Sequence, residues 1–354
     1  MIYATVTLII VMILSSSYGK IKQGNALPII GSVLSLCIFS SCRSVSFGPD
    51  LTYYATQYTR VIPFLDYIEI IRQYTSGLMK DGIFYIFMKL CIEIGLSYQA
   101  FISIVTSFYI VTVSWMISRY SKCPILSFMM FISLSWLQFS FTGLRQAMAM
   151  GCCSLAIGIL ASNKRPLLAL VLILIAGLFH TSGFTFLFAF VVYKLKFKIT
   201  PIRFVVLILS SVAMALWGSV VFRKIVTMIA WNETLAYYAT SSVSLNWTGF
   251  LIQLTISCFS FYMYRDVIDE HPEMNLFYTL MAIGTAFQAF AGIIAEMFRI
   301  SMYFSIASIC VFPVAIQAIK NDQWRKAAFY GSIVILFAYF IVGNKFAMYV
   351  PITA

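Results

Sequence analysis

Charge is what this sequence has least of: 10% of its 354 residues are charged, against about 25% in a soluble globular domain. Acids are scarcer than bases, 12 against 24, and histidine occurs only twice. There is no CxxC and no Cys/His pairing at zinc spacing, so the eight cysteines read as small core residues and not as a metal or disulfide framework. Also missing are a Gly-rich nucleotide loop of Walker or dinucleotide type, a DxD pair and any low-complexity tract. These absences exclude a soluble enzyme, a nucleic-acid binder and a disordered tail, and they give no reason to expect a metal or other cofactor.

What fills the sequence is hydrocarbon. Apolar residues make up 61% of the chain and mean hydropathy is +0.92, far beyond what one aqueous core buries. They come in blocks near the ~20 residues that cross a bilayer, at 2–18, 26–42, 98–118, 125–141, 146–162, 166–180, 183–193, 203–222, 247–264, 275–294, 300–319 and 327–342. The expectation is an all-α polytopic membrane protein of about twelve spans, with 1–354 forming a single integral membrane domain in the lipid bilayer. Blocks 166–180 and 183–193 are separated only by Thr181 and Ser182, and Gly177 and Gly183 weaken the helix there. They read as a broken or re-entrant pair. The segment 81–97, with Asp81, Lys89 and Glu93 among apolar residues, reads as an interfacial amphipathic helix. The opening MIYATVTLIIVMILSSSYGK has no basic n-region and no small-residue cleavage site, so it reads as a retained first span.

The net charge of +12 then becomes a statement about topology. Lys20 and Lys22, Arg119 and Lys122, Lys164 and Arg165, the group Lys194, Lys196, Lys198 and Arg203, and finally Lys320, Arg325 and Lys326 fall in every second loop. The positive-inside rule makes those loops cytoplasmic and places both termini outside. The acidic segment 265–273 falls on the same side by parity, and acids count little in the rule. Two longer connections, 43–97 and 223–246, face the exterior or periplasm. Both are aromatic, with Tyr53 and Tyr54 in the first and Tyr237 and Tyr238 in the second. Such rings pack well against the C–H faces of sugars.

An ionisable group placed in a span costs about 2.5–3.5 kcal/mol on insertion scales and is a functional candidate for that reason. Arg145, in FTGLRQAMAMG at the start of the fifth span, follows Gly143 near a helix N-terminus, where a guanidinium fork and free backbone N–H groups suit a phosphate. His180 closes a nearly pure hydrocarbon run, LLALVLILIAGLFHTSG, and offers a general base or acid near neutrality. Glu296 and Arg299 stand three apart and share a face if helical. Arg43 ends the second span, and Gly48-Pro49 turns the chain ahead of Asp50. All six fall on the outer side of the deduced topology. The bland readings are a snorkelling arginine, a packed histidine and a structural ion pair. The functional one is a site for a substrate with phosphate, hydroxyls and a lipid tail.

At this point the chain resembles the bacterial Wzy-type polysaccharide polymerases, in particular the EpsG-like branch. The resemblance rests on Arg43, Gly48-Pro49-Asp50 and Tyr53-Tyr54, then Asp81-Gly82-Ile83-Phe84, then Leu144-Arg145-Gln146 at a helix start and Phe179-His180-Thr181-Ser182 closing an apolar span. Order and spacing agree over 43–200, while the last 150 residues match mainly in hydropathy. Family members often carry Thr where Pro49 stands and Glu where Asp81 stands. The resemblance implies a membrane glycosyltransferase of the bacterial cytoplasmic membrane, with a GT-C-like helical bundle and its site on the periplasmic face. It would polymerise undecaprenyl-pyrophosphate-linked repeat units into O-antigen, capsular or exopolysaccharide, with a lipid-linked glycan as both donor and acceptor. A chain-length-regulating copolymerase is the partner it implies. Arg145, Arg43 and Arg299 would hold the departing pyrophosphate, His180, Asp50 or Glu296 would act as base, and Tyr53, Tyr54, Tyr237 and Tyr238 would meet the sugars. The competing classes are a flippase for lipid-linked glycans and another outer-face transferase, an O-antigen ligase or an acyltransferase. A flippase would place its charges near the bilayer midplane, in paired halves.

Overall fold

The computed structural model describes residues 2–16, 27–45, 49–229, 247–291 and 296–343, together with Phe346, Tyr349 and Pro351, and for Pro49, 218–229 and Glu296 it describes the backbone only. Helices account for 83% of these residues. No strand forms among them, and Arg43 pairs with Pro351 in an isolated antiparallel bridge. Contacts divide the chain into two compact units, Met1–Leu187 with Asn321–Ala354, and Phe188–Lys320.

In the first unit, α1 (Ile2–Ser16) and α2 (Leu27–Ser41) lead to three short helices, α3 (Pro49–Thr56), α4 (Tyr67–Thr75) and α5 (Gly82–Glu93). Then come α6 (Tyr98–Tyr120), α7 (Pro124–Ser133), α8 (Trp136–Phe139), α9 (Leu144–Ser162) and α10 (Pro166–Phe179), and α18 (Asp322–Val342) returns from the far end of the chain to pack on α7. In the second unit, α11 (Leu187–Lys194), α12 (Pro201–Ile229), α13 (Thr248–Tyr262), α14 (Tyr264–Glu270), α15 (Met274–Phe290), α16 (Glu296–Ser305) and α17 (Ser308–Gln317) follow in order.

The helix ends obey local rules. Pro124, Pro166 and Pro201 occupy first helical positions, where a missing N–H costs nothing. Asp66, Ser97 and Asn321 cap α4, α6 and α18 by accepting from Glu69 N, Ala100 N and Trp324 N at 2.6, 3.2 and 3.1 Å. Inside the unit, α9 presents Ala147, Ala149, Gly151, Cys152, Ser154 and Gly158 as buried small residues, and this lets α6 and α10 pack closely against it.

The fold is that of a helical membrane protein. Tyr98–Tyr120, Leu144–Ser162 and Asp322–Val342 are each long and apolar enough to cross a bilayer, and α16 with α17 adds a fourth candidate if that bent pair is one span. Ile2–Ser16, Leu27–Ser41, Pro166–Phe179 and Thr248–Tyr262 are among the shorter apolar helices. The apolar stretch of α18 is only 11% buried within the protein. So much bare hydrocarbon is tolerable in lipid and not in water.

Two apolar blocks that read as continuous are interrupted, and the pair that reads as broken is broken. Block 125–141 splits into α7 and α8 at Ser135, which takes a left-handed conformation with φ 74°. Block 300–319 bends by 45° between α16 and α17. The pair 166–180 and 183–193 breaks at His180, whose backbone is extended (φ −155°, ψ 123°), and the chain continues through a tight 3-10 turn over Thr181–Phe186. That turn folds back onto the end of α10, as Gly183 N donating to His180 O at 2.7 Å shows. A Cβ at Gly183 would come within 2.7 Å of the Ala176 carbonyl. The close approach therefore requires glycine.

Gly183→Ala should destabilise the protein by about 1–3 kcal/mol, the usual range for forcing atoms into packed space. Gly331→Ala, where nothing lies within 4 Å of the added carbon, should be neutral or slightly stabilising. Thermal unfolding of both variants in one detergent checks the ranking.

Candidate active site

The segment ahead of α5 holds an acid in an unusual place. Asp81 is the residue before the first turn of α5, a position where a carboxylate ordinarily caps the helix, yet its side chain makes no capping bond and its backbone is left-handed, φ 59° and ψ 52°. Glycine is the residue that takes this conformation at no cost, and the strain of holding Asp there is about 1–2 kcal/mol. Gly82 follows because a Cβ at that point would lie 2.6 Å from the Tyr74 ring. The backbone thus turns the Asp81 carboxylate away from its own helix and toward α9 and α10.

There it meets four donors. Oδ2 lies 2.8 Å from His180 Nδ1 and 3.1 Å from Arg145 Nη1. Oδ1 accepts from Thr181 N at 2.9 Å and from Thr181 Oγ1 at 2.8 Å. The carboxylate itself is 3% exposed, whereas the side chains of Arg145 and His180 keep 24% and 18% of their surface. The acid is sealed and its two partners face outward. Burial pushes the Asp81 carboxyl up, but the hydrogen bond from His180, the charges of His180 and Arg145 and the Thr181 N–H outweigh it, and the net shift is downward. Asp81 is therefore ionised at neutral pH. An ionised carboxylate only accepts, so His180 Nδ1 carries a proton and donates to it.

Arg145 is held from a second side. Its Nε donates to Tyr54 Oη at 3.0 Å and its guanidinium lies over the Tyr54 ring, 5.7 Å from the centroid. Burial raises the Tyr54 phenol, an effect only partly opposed by Arg145, so the oxygen accepts with its own proton retained. Tyr53 stands beside it, half exposed, with its hydroxyl 3.2 Å from that of Tyr85. Arg145 is in the first turn of α9, which starts at Gly143 without a side-chain cap. The free helix end adds positive potential on the same side.

The candidates read from the sequence divide accordingly. Arg145, His180, Tyr54 and Tyr53 come together, with Asp50 exposed in the first turn of α3, near enough to Tyr54 to act on its charge. Tyr54 is 3% exposed, covered by Phe84 and Tyr53, so it supports Arg145 and is no open platform for a sugar. Arg43 is not brought to this cluster. It is fully buried, its guanidinium 4.8 Å from the Phe141 centroid, donating to Ser40 O and reaching Thr106 Oγ1 at 3.4 Å, with Nε and Nη2 unpartnered. Its guanidinium is closed in against the Phe141 ring where the sequence pattern suggests an open anion site. Arg299 is half-buried on α16 in the second unit. The Glu296 side chain and Tyr237 and Tyr238 lie outside the described residues.

Asp81 and Thr181, which the sequence marks only as parts of the motifs that carry the resemblance, and Tyr85 are members without an expected site role. The available signal for Asp81 was an acid followed by glycine immediately before the apolar run 82–92. No group of three or more His, Cys, Asp or Glu side chains suited to a metal ion occurs among the described residues.

Asp81→Asn preserves shape but removes the charge that binds Arg145 and His180, and should cost about 1.5–3 kcal/mol of stability. Because the carboxyl is lowered in the folded protein, its stabilisation is complete above the unfolded value near 3.9 and fades as pH falls through the lower folded value. The gap in melting temperature between wild type and variant should therefore hold from pH 8 to about pH 5. It should narrow only below about pH 4.

Comparison with known proteins adds one match. The model of the EpsG family covers residues 26–349. No curated protein and no solved structure matches the chain. With nearly its whole length matched, the chain belongs to the EpsG family, the family of Wzy-type polysaccharide polymerases.

Proposed function

We propose that this protein is a membrane glycosyltransferase that joins oligosaccharide repeat units carried on undecaprenyl pyrophosphate, at the periplasmic face of a bacterial cytoplasmic membrane. The observation that carries the reading is the union of Arg145 and His180 on one buried carboxylate, at 3.1 and 2.8 Å. A glycosyl transfer from a pyrophosphate donor needs a cation where the leaving group gathers charge and a base at the acceptor hydroxyl. Here the two are held side by side, each with a free edge.

In this reading the acceptor is the terminal sugar hydroxyl of one lipid-linked repeat unit. His180 Nε2 takes the hydroxyl proton as the oxygen bonds to the anomeric carbon of the donor glycan. The bond from that carbon to pyrophosphate breaks, and the lipid pyrophosphate departs with its new negative charge against Arg145 and the N-terminus of α9. Asp81 keeps Nδ1 protonated and stabilises the imidazolium that forms, an orienting role familiar from other acid–histidine pairs. Tyr53, exposed at the edge of the cluster, is placed to pack against a sugar ring. The chain would cross the membrane about twelve times in a GT-C-like bundle with both termini outside, and the loop 43–97 would bring Asp81 and Tyr53 to the outer face. Arg203 and the other loop cations would mark the cytoplasmic side.

Cells lacking the gene should show surface or lipid-linked glycan collapsed to a single repeat unit on a gel, and the wild-type gene should restore the ladder. Arg145→Ala, at normal protein level, should lose chain extension by 10²-fold or more, about the effect of removing one donor to a developing anion. His180→Ala and His180→Gln should both fail. A near-normal ladder with Arg145→Ala removes the pyrophosphate role, activity in His180→Gln removes the base, and loss of even the single exported unit points to a flippase.

A further inference from the structure

The second unit carries a groove that the glycosyl-transfer reading leaves unused. It has a volume of about 610 Å³ and lies between α11, α12 and α15, within the roughly 300–1,000 Å³ of small-molecule sites. Its walls are almost wholly hydrocarbon and aromatic, with Phe188, Val206, Met214 and Phe287 among them. The polar lining groups are Arg203, Ser210 and Ser211. Both serine hydroxyls donate to Leu207 O, at 2.9 and 2.7 Å, so the floor of the groove asks for no polar partner. The occupant it suits is an apolar chain.

Its mouth is of opposite character. Arg203 lines the groove at one end, exposed, with one guanidinium nitrogen on Lys198 O at 2.9 Å and the plane over Phe197, 5.8 Å from the centroid. None of the lining residues is acidic. Lys194, Lys196 and Lys198, all exposed, stand within the ten residues that end at Arg203. From Arg203 to Met214 the groove runs along α12 for about 17 Å at ~1.5 Å per residue. That is close to half of the ~30 Å hydrocarbon thickness of a bilayer, the depth of one leaflet. The outer face of α12 beside the groove shows Val205, Leu209 and Trp217 bare, so the groove opens onto lipid.

We propose that this groove is a site for one anionic phospholipid, an acyl chain lying along α12 and the phosphate on Arg203. A cation at a groove one leaflet deep selects the headgroup by charge and the chain by length. A free anion would have no use for the hydrocarbon walls, and a polyprenyl chain would overrun the groove. The site lies outside the Asp81 cluster and does not depend on its chemistry.

Native mass spectrometry of the full-length protein, released from micelles holding equal phosphatidylglycerol and phosphatidylcholine, tests it. Wild type should retain one phosphatidylglycerol in preference to phosphatidylcholine. Arg203→Gln, an exposed change, should lower that preference about fivefold, the worth of one cation beside an anionic lipid surface. Ser210→Trp, which fills the groove from an exposed position, should abolish retention of the bound lipid altogether. Equal retention of the two lipids by wild type, or an unchanged preference in Arg203→Gln, overturns the proposal. So does a lipid that stays bound in Ser210→Trp. Chain extension by Arg203→Gln is a separate readout, and a normal ladder there leaves the lipid result standing.

Discussion

Both oxygens of the Asp81 carboxylate are occupied, one by His180 and Arg145 and the other by the backbone and hydroxyl of Thr181, and the arrangement of α5, α9 and α10 follows from that. A carboxylate 3% exposed is costly to bury unless every lone pair is met. Four donors meet them. Each donor comes from a helix terminus: Arg145 from the start of α9, His180 and Thr181 from the end of α10, facing the start of α5. Helix ends carry unsatisfied backbone groups and partial charge, so they are the natural places to gather ionic chemistry in an apolar protein.

The same carboxylate explains local features that look unfavourable by themselves. The left-handed backbone at Asp81 sacrifices a helix cap, and the break of α10 at His180 gives up helical hydrogen bonds in a hydrocarbon-rich segment. The tight turn after His180 recovers part of that cost, with Gly183 allowing the return of the chain. Strain of this kind persists only where surrounding structure over-determines it, as the four donors do at Asp81. Arg43 shows the contrasting solution. Its guanidinium lies buried over Phe141, and its backbone ties the end of α2 to the C-terminal segment through the Pro351 bridge.

How much of this could be read from the sequence depends on the range of the interaction. Helix positions follow from apolar blocks, because burial in lipid leaves a contiguous signature. Arg145 and His180 stand out for the reverse reason, as ionisable groups in hydrocarbon. The break at Ser135 leaves no comparable mark, since a left-handed residue inside an apolar run is decided by what packs on it, whereas the break at His180 is signalled by Gly177, Gly183 and the polar pair Thr181 and Ser182. Asp81 escaped notice as a site residue because its partners are 64 and 99 positions away and only the fold brings them near. In sequence it reads as a charge on an amphipathic helix and as the opening of the Asp81-Gly82-Ile83-Phe84 motif, with no partner in view. Tyr54 was legible as a nearby aromatic but not as the acceptor of the Arg145 Nε–H, and the Phe141 ring against Arg43 is itself packed by Phe39 and Phe346, which no local pattern connects.

The central claim is that Asp81 makes Arg145 and His180 a single functional unit. A double-mutant cycle on Asp81→Asn and His180→Gln, read as the rate of chain extension by purified protein in liposomes supplied with lipid-linked repeat units, tests it most directly. If the two residues act together, each single variant is severely slowed and the double variant is about as slow as the slower of the two. Effects that multiply in the double variant would mean that the residues work independently, and would contradict the account.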